Sequence, residues 1–368
     1  MTLPLLRPTF AEVDLTRLSA NLARIRHTVG PQVKLLVLVK ANAYGHGAVA
    51  VSRFVQEEKL GDFLAVASVE EGIELREAGI TLPILVLGSL YPFEAFEQAI
   101  THRLSVTIAS LEAANAVCRI AEKLGKTAHC HVKQDTGMGR IGTRRGKVMD
   151  VLERLHNKPH IVLEGFFSHL SSVETDPAFT EEQIGYYRDT LTNMQLRGMT
   201  VHYRHLAASA AIDARSDIHY DMVRPGHSVY GLEPGYQPVL SLKTRVVYVK
   251  DVPTGGSISY GRSFRAEKPM KVATLPIGYG DGYLRALSNK AEVLIKGKRC
   301  RVLGNITMDM MMVDITHVSP VQVGEEVVVV GRQGLEEITL KELANLAGTI
   351  DYELGTLITA RVPRIYKK

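Results

Sequence analysis

Eight short apolar runs, separated by segments with helix-like spacing, occupy the chain from residue 10 to about residue 235. The runs are rich in Val, Ile and Leu without polar alternation, which is typical of strands buried on both faces of a parallel sheet. They lie at 34–39, 63–67, 84–87, 104–108, 129–133, 161–167, 201–206 and, most weakly, 220–223. Eight β-α units predict a TIM-like α/β barrel. A doubly wound open sheet is the alternative, because periodicity does not show closure.

The pattern changes near Gly235, where strand-like runs follow one another without long helices between them. The runs lie at 240–249, 271–275, 291–295, 300–303, 311–315 and 326–330, and one helix is predicted at 340–347 before a final strand at 357–361. This predicts a mostly-β C-terminal domain. The predicted domains are therefore residues 10–235 for the barrel and 236–368 for the β-rich domain.

Charge and composition exclude several classes of function. The net charge of +5 comes from 44 basic and 39 acidic residues among 368, and basic clusters are short, such as the pairs at 144–145 and 367–368, which is too diffuse for a nucleic-acid footprint. Residues 1–17 contain two prolines and early charges, and no apolar run reaches membrane-spanning length. We expect a cytoplasmic protein with no nucleic-acid or membrane partner.

Cysteine and histidine spacing gives no metal or disulfide prediction. Cys118, Cys130 and Cys300 are far apart and form no CxxC pair, so neither a disulfide framework nor a thiolate zinc site is indicated. His129 and His131 share one face of a predicted strand, a spacing compatible with two metal ligands, but a third ligand is not evident. We therefore predict no metal.

Lys40 ends the first apolar run, and the small, polar and glycine residues ANAYGHG follow it. In α/β barrels the carboxyl ends of the strands carry the chemistry. A desolvated lysine there loses its proton readily and condenses with carbonyls, including that of pyridoxal 5'-phosphate. An ordinary solvated lysine is the alternative when this residue is taken alone.

The last two predicted βα loops fit a phosphate site, which such a cofactor needs. After the seventh strand Ser209 can open a short helix, and after the eighth Gly226 lets backbone amides approach an anion. Taken singly, Ser209 also fits an ordinary helix cap and 225–226 an ordinary turn.

In combination these segments resemble the alanine racemase family over almost the full chain. The resemblance rests on VKANAYGHG at 39–47, VKQDTGMGRIG at 132–142, SHL at 168–170, VRPG at 223–226, SYGRSF at 259–264, IGYGDGY at 277–283 and MDM at 308–310. It implies a pyridoxal phosphate barrel, a β-rich C-terminal domain and a homodimer with shared active sites. It also implies that the first strand, 9–13, packs with the C-terminal domain.

The resemblance implies a two-base mechanism on a pyridoxal phosphate aldimine, interconverting L-alanine and D-alanine and supplying D-alanine for peptidoglycan. Lys40 would hold the cofactor and act as one base, and Tyr260 of the partner subunit would act on the opposite face. His169 would bond Tyr260, and Arg224 would bond both His169 and the pyridine nitrogen. Because a guanidinium only donates hydrogen bonds, the ring nitrogen would not be fully protonated, which disfavours side reactions.

The same resemblance assigns the remaining positions. The phosphate ligands would be Tyr44, Ser209, Gly226 and the amide of His227, with Tyr352 nearby. Arg140 and the amide of Met308 would bind the substrate carboxylate. Tyr279 and Tyr352 would form a narrow entrance, although amphipathic rim residues occur in many barrels. Lys133 matches the family's carbamylated lysine, which would hold Arg140 as an acceptor, whereas an unmodified lysine would repel it.

Departures from the family pattern leave the substrate range open. Ala208 stands where the family often has asparagine, Thr307 where many members have cysteine, and Asn305 where some have arginine. A racemase of wider substrate range therefore remains an alternative. A related barrel decarboxylase would be expected to carry an acidic residue in place of Arg224, and a cofactor-carrier protein of the same barrel would lack the second domain.

Overall fold

The structure is a computed structural model that describes residues 6–318 and 320–368. The chain divides into two compact units. One, here called the barrel unit, comprises Ser19–Ala43 and Ala48–Tyr236, and the other, here called the β unit, comprises the described residues of 6–18, Tyr44–Gly47 and Gln237–Lys368. The first five residues of the segment 1–17, on which the cytoplasmic expectation partly rests, lie outside the described residues. The first strand, β1 (Phe10–Asp14), belongs to the β unit.

The barrel unit alternates strands with helices. Its strands are β2 (Lys34–Leu38), β3 (Phe63–Val66), β4 (Ile84–Ser89), β5 (Ser105–Ile108), β6 (Ala128–Asp135), β7 (Thr143–Arg144), β8 (Ile161–Phe167), β9 (Tyr203–His205) and β10 (Met222–Val223). Its helices are α1 (Leu15–Val29), which begins in the β unit, α3 (Ala48–Glu57), α4 (Val69–Glu77), α5 (Ala95–Thr101), α6 (Leu111–Leu124), α7 (Val148–Leu155), α8 (Pro177–Leu196) and α9 (Ser209–Ile212). Single 3-10 turns lie at Arg145–Lys147 and Ser216–Ile218.

Parallel pairing joins eight of these strands in the order β10-β2-β3-β4-β5-β6-β8-β9. An isolated parallel bridge between Ala208 and Arg224 then links the segments that follow β9 and β10, so the sheet nearly closes on itself. The predicted barrel is confirmed, and the open sheet is excluded by this closure. Leu36, Phe63 and Leu85 are buried together on neighbouring strands, as expected for runs that are apolar on both faces.

Helix ends in the barrel unit follow the sequence signals. Ser68 and Ser110 cap α4 and α6 by accepting the backbone N–H three residues later. Gly125 ends α6 in the left-handed conformation, which glycine adopts without steric cost. The capped helices connect the strands and leave each strand's carboxyl end on the same rim of the barrel.

The β unit is built on strands that pair mostly with neighbours in the chain. Its further elements are β11 (Leu240–Arg245), β12 (Tyr248–Val252), β13 (Ser257–Ile258), β14 (Phe264–Arg265), β15 (Met270–Leu275), β16 (Glu292–Ile295), β17 (Lys298–Leu303), β18 (Met311–Asp314), β19 (Glu326–Gln333), β20 (Glu336–Ile338), α10 (Leu340–Ala347), α11 (Asp351–Leu357) and β21 (Arg364–Lys367). Single 3-10 turns lie at Tyr260–Arg262, Tyr279–Asp281 and Arg285–Leu287.

The main sheet of the β unit has the order β12-β15-β18-β17-β16-β19-β11-β1-β21, with β20 beside β19. β1 pairs antiparallel with β11 and parallel with β21, so the N-terminal strand lies between two strands of the C-terminal segment. The mostly-β character of this part of the chain is confirmed.

Two strand predictions for the β unit are wrong in detail. The run 240–249 is two strands, because the chain changes partners between β11, which pairs with β1 and β19, and β12, which pairs with β15. The predicted strand at 357–361 is the end of α11 and a turn, in which Thr359 donates its amide to the carbonyl of Asp281 and Val362 to that of Thr359. The final strand begins after Pro363, which has no N–H to donate to a ladder.

Across the ranges that the structure describes, the helices are all too short or too polar to cross a membrane.

Candidate active site

Lys40 follows β2 and begins a single left-handed turn, α2 (Lys40–Tyr44). Residues 41–44 all have φ between 51° and 54°, although none is glycine. Left-handed backbone costs about 1–2 kcal/mol per such residue, so four in succession need support from outside the turn. One support is the side chain of Asn42, whose Oδ1 accepts the amide of Ala48 at 2.8 Å.

The amine of Lys40 is partly buried, and burial is the main cause that lowers its pKa. The positive charge of Arg140 lowers the pKa of Lys40 further, and the negative charge of Glu71 opposes both effects. The amine therefore loses its proton more readily than a solvated lysine does.

Arg224 follows β10 and is almost completely buried. Its guanidinium donates to three backbone carbonyls, those of Ser168 at 2.7 Å, His205 at 2.8 Å and Leu206 at 2.8 Å. Burial lowers the pKa of Arg224 to about 10, so the group still carries its charge at neutral pH. A buried cation is thereby held rigidly at the carboxyl ends of the barrel strands.

A chain of hydrogen bonds leads from Arg224 through the barrel interior. Arg224 Nη1 contacts His205 Nδ1 at 3.1 Å, His205 Nε2 contacts His131 Nδ1 at 3.0 Å, and His131 Nε2 contacts Glu164 Oε2 at 2.9 Å. Ser105 donates to the same carboxylate oxygen at 2.7 Å, and His129 contacts its other oxygen at 3.1 Å. A buried guanidinium and a carboxylate are thus joined through two imidazoles.

His169 and Lys133 face the same positive charges in the barrel unit. Burial, and then the charge of Arg224, lowers the pKa of His169 to about 3, so its imidazole is neutral at pH 7. Burial and the charges of Arg224 and Arg140 lower the pKa of Lys133 to about 7. Lys133 Nζ also lies 5.4 Å from the ring centroid of Phe167. A large fraction of the Lys133 amine is therefore neutral at pH 7.

Backbone amides and hydroxyls meet at the start of α9. The amides of Gly226 and Ser228 both point to Ser209 Oγ, at 2.9 Å and 3.3 Å, and Ser228 Oγ lies 3.1 Å from it. His227, between the two amide donors, lies 3.4 Å from Glu233. These amides belong to the segment after β10 and converge on the hydroxyl at the start of α9, so the predicted phosphate ligands Ser209 and Gly226 lie together.

The other predicted site residues lie in the β unit. Burial and the nearby Tyr352 raise the pKa of Tyr44, so its phenol stays protonated. Tyr260, Tyr279 and Met308 are exposed, with 75 %, 42 % and 53 % of their surface accessible. These three side chains are therefore available to a further molecule, a ligand or another chain.

Local contacts fix the segments that carry these exposed side chains. Asn305 Nδ2 donates to the carbonyl of Tyr260 at 2.8 Å. Tyr279 donates its amide to Thr307 at 3.1 Å, and Gly280 donates its amide to Met308 at 2.9 Å. The loops of Tyr279 and Met308 are therefore held together by backbone bonds.

Sequence reasoning missed the side chains of Glu164, His205 and Glu71, which the structure places beside predicted residues. Glu164 and His205 belong to the hydrogen-bond chain that ends on Arg224. His131 was considered only as one of two possible metal ligands. Glu71 bonds the amide next to Lys40. Only the Ser-x-x-Glu spacing of 68–71 gave a signal, and it predicts a helix cap. Among the described residues, the structure shows no group of three or more side chains arranged to bind a metal ion.

Comparison with known proteins gives the same family for both halves of the chain. Residues 13–234 match the family domain described as "Alanine racemase, N-terminal domain", and residues 239–366 match "Alanine racemase, C-terminal domain". The alanine racemase of Symbiobacterium thermophilum is 45% identical, with 100% of this chain and 99% of that protein covered. That of Methanococcus maripaludis is 41% identical over 98% of each.

Solved structures agree with these matches. The alanine racemase of Clostridium difficile 630 superposes with a TM-score of 0.93 at 38% identity, covering 99% of this chain and 97% of that one. The alanine racemase of Bacillus anthracis, solved with bound L-Ala-P, superposes with a TM-score of 0.92 at 35% identity, covering 99% and 96%. The chain therefore belongs to the alanine racemase family and is an isomerase.

Proposed function

We propose that this chain interconverts L-alanine and D-alanine with pyridoxal 5'-phosphate bound at Lys40. The observation that carries the proposal is the presence, at the carboxyl ends of the barrel strands, of a lysine whose pKa is lowered by burial and of a buried Arg224 whose two Nη atoms are held by backbone carbonyls. Together the two groups match what the family's reaction requires.

Predicted site residues of each unit have the chemistry that suits the cofactor. Lys40 provides an amine that gives up its proton, and Arg224 provides a donor for a ring nitrogen. The amides of Gly226 and His227, the hydroxyl of Ser209 and the protonated phenol of Tyr44 would hold the phosphate, with Tyr352 beside Tyr44. Amide donors at a helix start and a neutral phenol are the groups that a phosphate needs.

When bound, pyridoxal phosphate supplies a carbonyl that condenses with an amine and a conjugated ring that withdraws electrons from the α-carbon. Arg224 keeps its protons at neutral pH and only donates, and its Nε–H, which takes no part in the bonds described above, would donate to the ring nitrogen without protonating it. Its three carbonyl acceptors and His205 leave it little freedom to move. This arrangement favours proton exchange over decarboxylation and transamination.

Racemisation needs a base on each face of the α-carbon, and Lys40 would serve one face. We assign the other to Tyr260 of the partner subunit, because Tyr260 is largely exposed on its own chain. The neutral His169 would accept the phenolic hydrogen bond of that tyrosine, since its low pKa keeps an imidazole lone pair available. The proposal therefore includes a homodimer with shared active sites.

Arg140 would bind the substrate carboxylate as a forked donor, and the amide of Met308 of the partner subunit would add a second contact. Tyr279 and Tyr352 would narrow the entrance. Lys133 would be carbamylated, which turns a cation that repels Arg140 into an anion that attracts it. The D-alanine formed would supply peptidoglycan synthesis in a cell that makes it, and the cytoplasmic location expected from the sequence stays a prediction.

Proton NMR of L-alanine with the pyridoxal phosphate-loaded protein in deuterium oxide, followed by chiral analysis, tests the proposed function. We expect the α-proton signal to disappear while D-alanine accumulates toward equal amounts of the two isomers. Serine is assayed in parallel, because Thr307 and Asn305 depart from the family pattern. If cofactor binds but alanine keeps both its proton and its handedness, the proposed substrate is wrong.

A Lys40→Ala variant tests the cofactor assignment separately. The visible absorbance of bound pyridoxal phosphate should be lost in this variant, since the amine that bonds the cofactor is gone. Lys34→Ala is a control, because Lys34 lies in β2, bonds Asp62 at 2.9 Å and takes no part in the proposed site. Persistence of the absorbance band in Lys40→Ala would contradict the assignment.

A further inference from the structure

The helix α4 begins with the sequence Ser68-Val69-Glu70-Glu71, which is the signature of a capping box. In that motif the glutamate at the third helical position reaches back to the amide of its own N-cap residue. Here the Glu71 carboxylate accepts hydrogen bonds from two other amides. Its Oε1 accepts the amide of Ala41 at 2.7 Å, and its Oε2 accepts the amide of Ala67 at 2.7 Å.

These two amides belong to the ends of neighbouring barrel strands. Ala41 is the residue after Lys40, which follows β2, and Ala67 follows β3 directly. β2 and β3 pair in parallel, and β2 extends toward Lys40 through a bond from the Val39 amide to the Ala65 carbonyl at 2.9 Å. A single carboxylate therefore ties together the carboxyl ends of two adjacent strands, one of which carries the lysine.

The carboxylate of Glu71 bonds the strained left-handed turn that follows Lys40. Ala41 is the first of four successive residues with left-handed backbone, and its amide direction depends on that conformation. A hydrogen bond from an amide to a carboxylate is among the stronger ones in proteins. Glu71 thus supplies an outside bond at the residue next to Lys40, where a relaxation of the turn would redirect the lysine side chain.

We propose that Glu71 is a positioning residue for Lys40, holding the left-handed turn so that the amine is presented to the cofactor in one direction. The inference rests on the proposed function of Lys40. The charge of Glu71 also acts on the amine, because it partly offsets the lowering of the Lys40 pKa by burial and by Arg140.

The test compares Glu71→Gln with Glu70→Gln, its matched control. Glu70 is the neighbouring residue in the same helix turn, is exposed and carries the same charge, but does not bond Ala41. The glutamine side chain has one oxygen acceptor, so Glu71→Gln keeps at most one of the two amide bonds. Glu71→Asp keeps the charge but is one methylene too short to bridge both amides.

Amide hydrogen exchange, followed by mass spectrometry on peptides covering 38–48 and 63–70, reports the bonds directly in the full-length protein. Loss of an amide bond to a charged acceptor should speed exchange in these peptides by about tenfold or more in Glu71→Gln. In peptide 38–48, Glu70→Gln should exchange like the unchanged protein; the Glu70 carboxylate bonds Ser68 and its own amide, so peptide 63–70 is left out of this comparison. Unchanged exchange in Glu71→Gln, or equal acceleration in Glu70→Gln, would overturn the inference.

Binding and kinetics then test the consequence for Lys40. In Glu71→Gln we expect the dissociation constant of pyridoxal phosphate to rise several-fold and kcat to fall, with KM for alanine less affected because Arg140 is untouched. If Glu71→Gln is not folded by circular dichroism, Glu71→Asp carries the same test. Should no variant, nor the unchanged protein, racemise alanine, the proposed function fails while the exchange result still decides whether Glu71 holds the turn. Faster exchange with unaltered cofactor binding would contradict the positioning role.

Discussion

The guanidinium of Arg224 donates to Nδ1 of His205, and this bond determines which nitrogen of each histidine carries a hydrogen in the hydrogen-bond chain that leads to Glu164. Because a guanidinium has no acceptor, His205 Nδ1 must be unprotonated and its Nε2 must carry the hydrogen. That hydrogen is donated to His131 Nδ1, so His131 in turn carries its proton on Nε2 and donates it to Glu164. The direction of this hydrogen-bond chain is therefore determined from its cationic end.

Neutral buried histidines make the stability of this protein depend on pH. His169 has a folded-state pKa of about 3, below the value near 6.5 of an unfolded histidine. Burial lowers the pKa of His205 in the same direction. A depressed pKa means that the unfolded chain binds more protons, so stability falls as pH drops below about 6.5, by roughly 1.4 kcal/mol per pH unit for each such group.

His169→Gln should therefore lose less thermal stability than the unchanged protein when the pH is lowered from 7 to 5. The measurement is the melting temperature of both proteins at pH 7, 6 and 5 and at one fixed protein concentration. His27→Gln is the control, because His27 is an exposed residue of α1. A difference between His169→Gln and the unchanged protein that stays constant over this pH range would contradict the neutral assignment.

Gly165 makes room for the His131 imidazole on the neighbouring strand. A Cβ added at Gly165 would lie 2.1 Å from His131 Nδ1, so Gly165→Ala must push the ring away from His205 and Glu164. We expect Gly165→Ala to cost about 1–3 kcal/mol, as overpacking of a core does, and to lower the melting temperature.

Gly185→Ala is the matched control for that change. Gly185 lies within α8, and a Cβ there would meet no atom within 4 Å. Alanine in a helix interior is favoured over glycine by about 0.8–1 kcal/mol, so the melting temperature should hold or rise. Equal effects of the two substitutions would show that His131 is not fixed where the structure places it.

The left-handed turn after Lys40 predicts an unusual stabilising substitution. Ala41 is exposed and has φ of 51°, a conformation that glycine adopts without the alanine penalty. Ala41→Gly should therefore raise the free energy of unfolding by up to about 1 kcal/mol, after the greater entropy of glycine in the unfolded chain is subtracted. Ala20→Gly, at an exposed position in α1, should instead lower it. Thermal unfolding of both variants decides whether the turn is strained.

The sequence predicted the barrel well because each buried strand can be recognised from the apolar residues of its own segment. Apolar runs such as 161–167 mark β8 to the residue. The bonds of Glu71 could not be predicted, because the same Ser-x-x-Glu spacing fits an ordinary cap and only the neighbouring strand reveals the actual acceptor role. The hydrogen bond between His131 and His205 likewise could not be predicted, because it joins strands that are not adjacent in the pairing order.

Lys133 is expected to react with carbon dioxide. Its pKa of about 7, lowered by burial and by the charges of Arg224 and Arg140, leaves a neutral amine. That nitrogen can bond the carbon of carbon dioxide and release a proton, giving a carbamate anion that Arg140 stabilises. Protein incubated with 13C-bicarbonate should show a carbamate carbon signal that is absent in Lys133→Gln, and the KM for alanine should rise in that variant.

Lys34→Gln provides the comparison for the carbamate signal. Lys34 lies in β2, where its Nζ pairs with Asp62 at 2.9 Å, and it takes no part in the proposed site. Its replacement should leave the carbon signal unchanged. A signal of equal size in Lys133→Gln would assign the carbamate to another amine and remove the proposed support for Arg140.

Mixed dimers test whether the two bases come from different chains. Lys40→Ala and Tyr260→Phe should each be inactive alone, because racemisation in either direction uses both bases. In a mixed dimer one site combines both lesions, while the other combines an intact Lys40 with an intact Tyr260 from the partner subunit. With free subunit exchange at equal amounts, half of the dimers are mixed, so activity should return to about a quarter of the unchanged level. If exchange is demonstrated by mass spectrometry and activity does not return, both bases act within one chain, and the exposed position of Tyr260 has another cause.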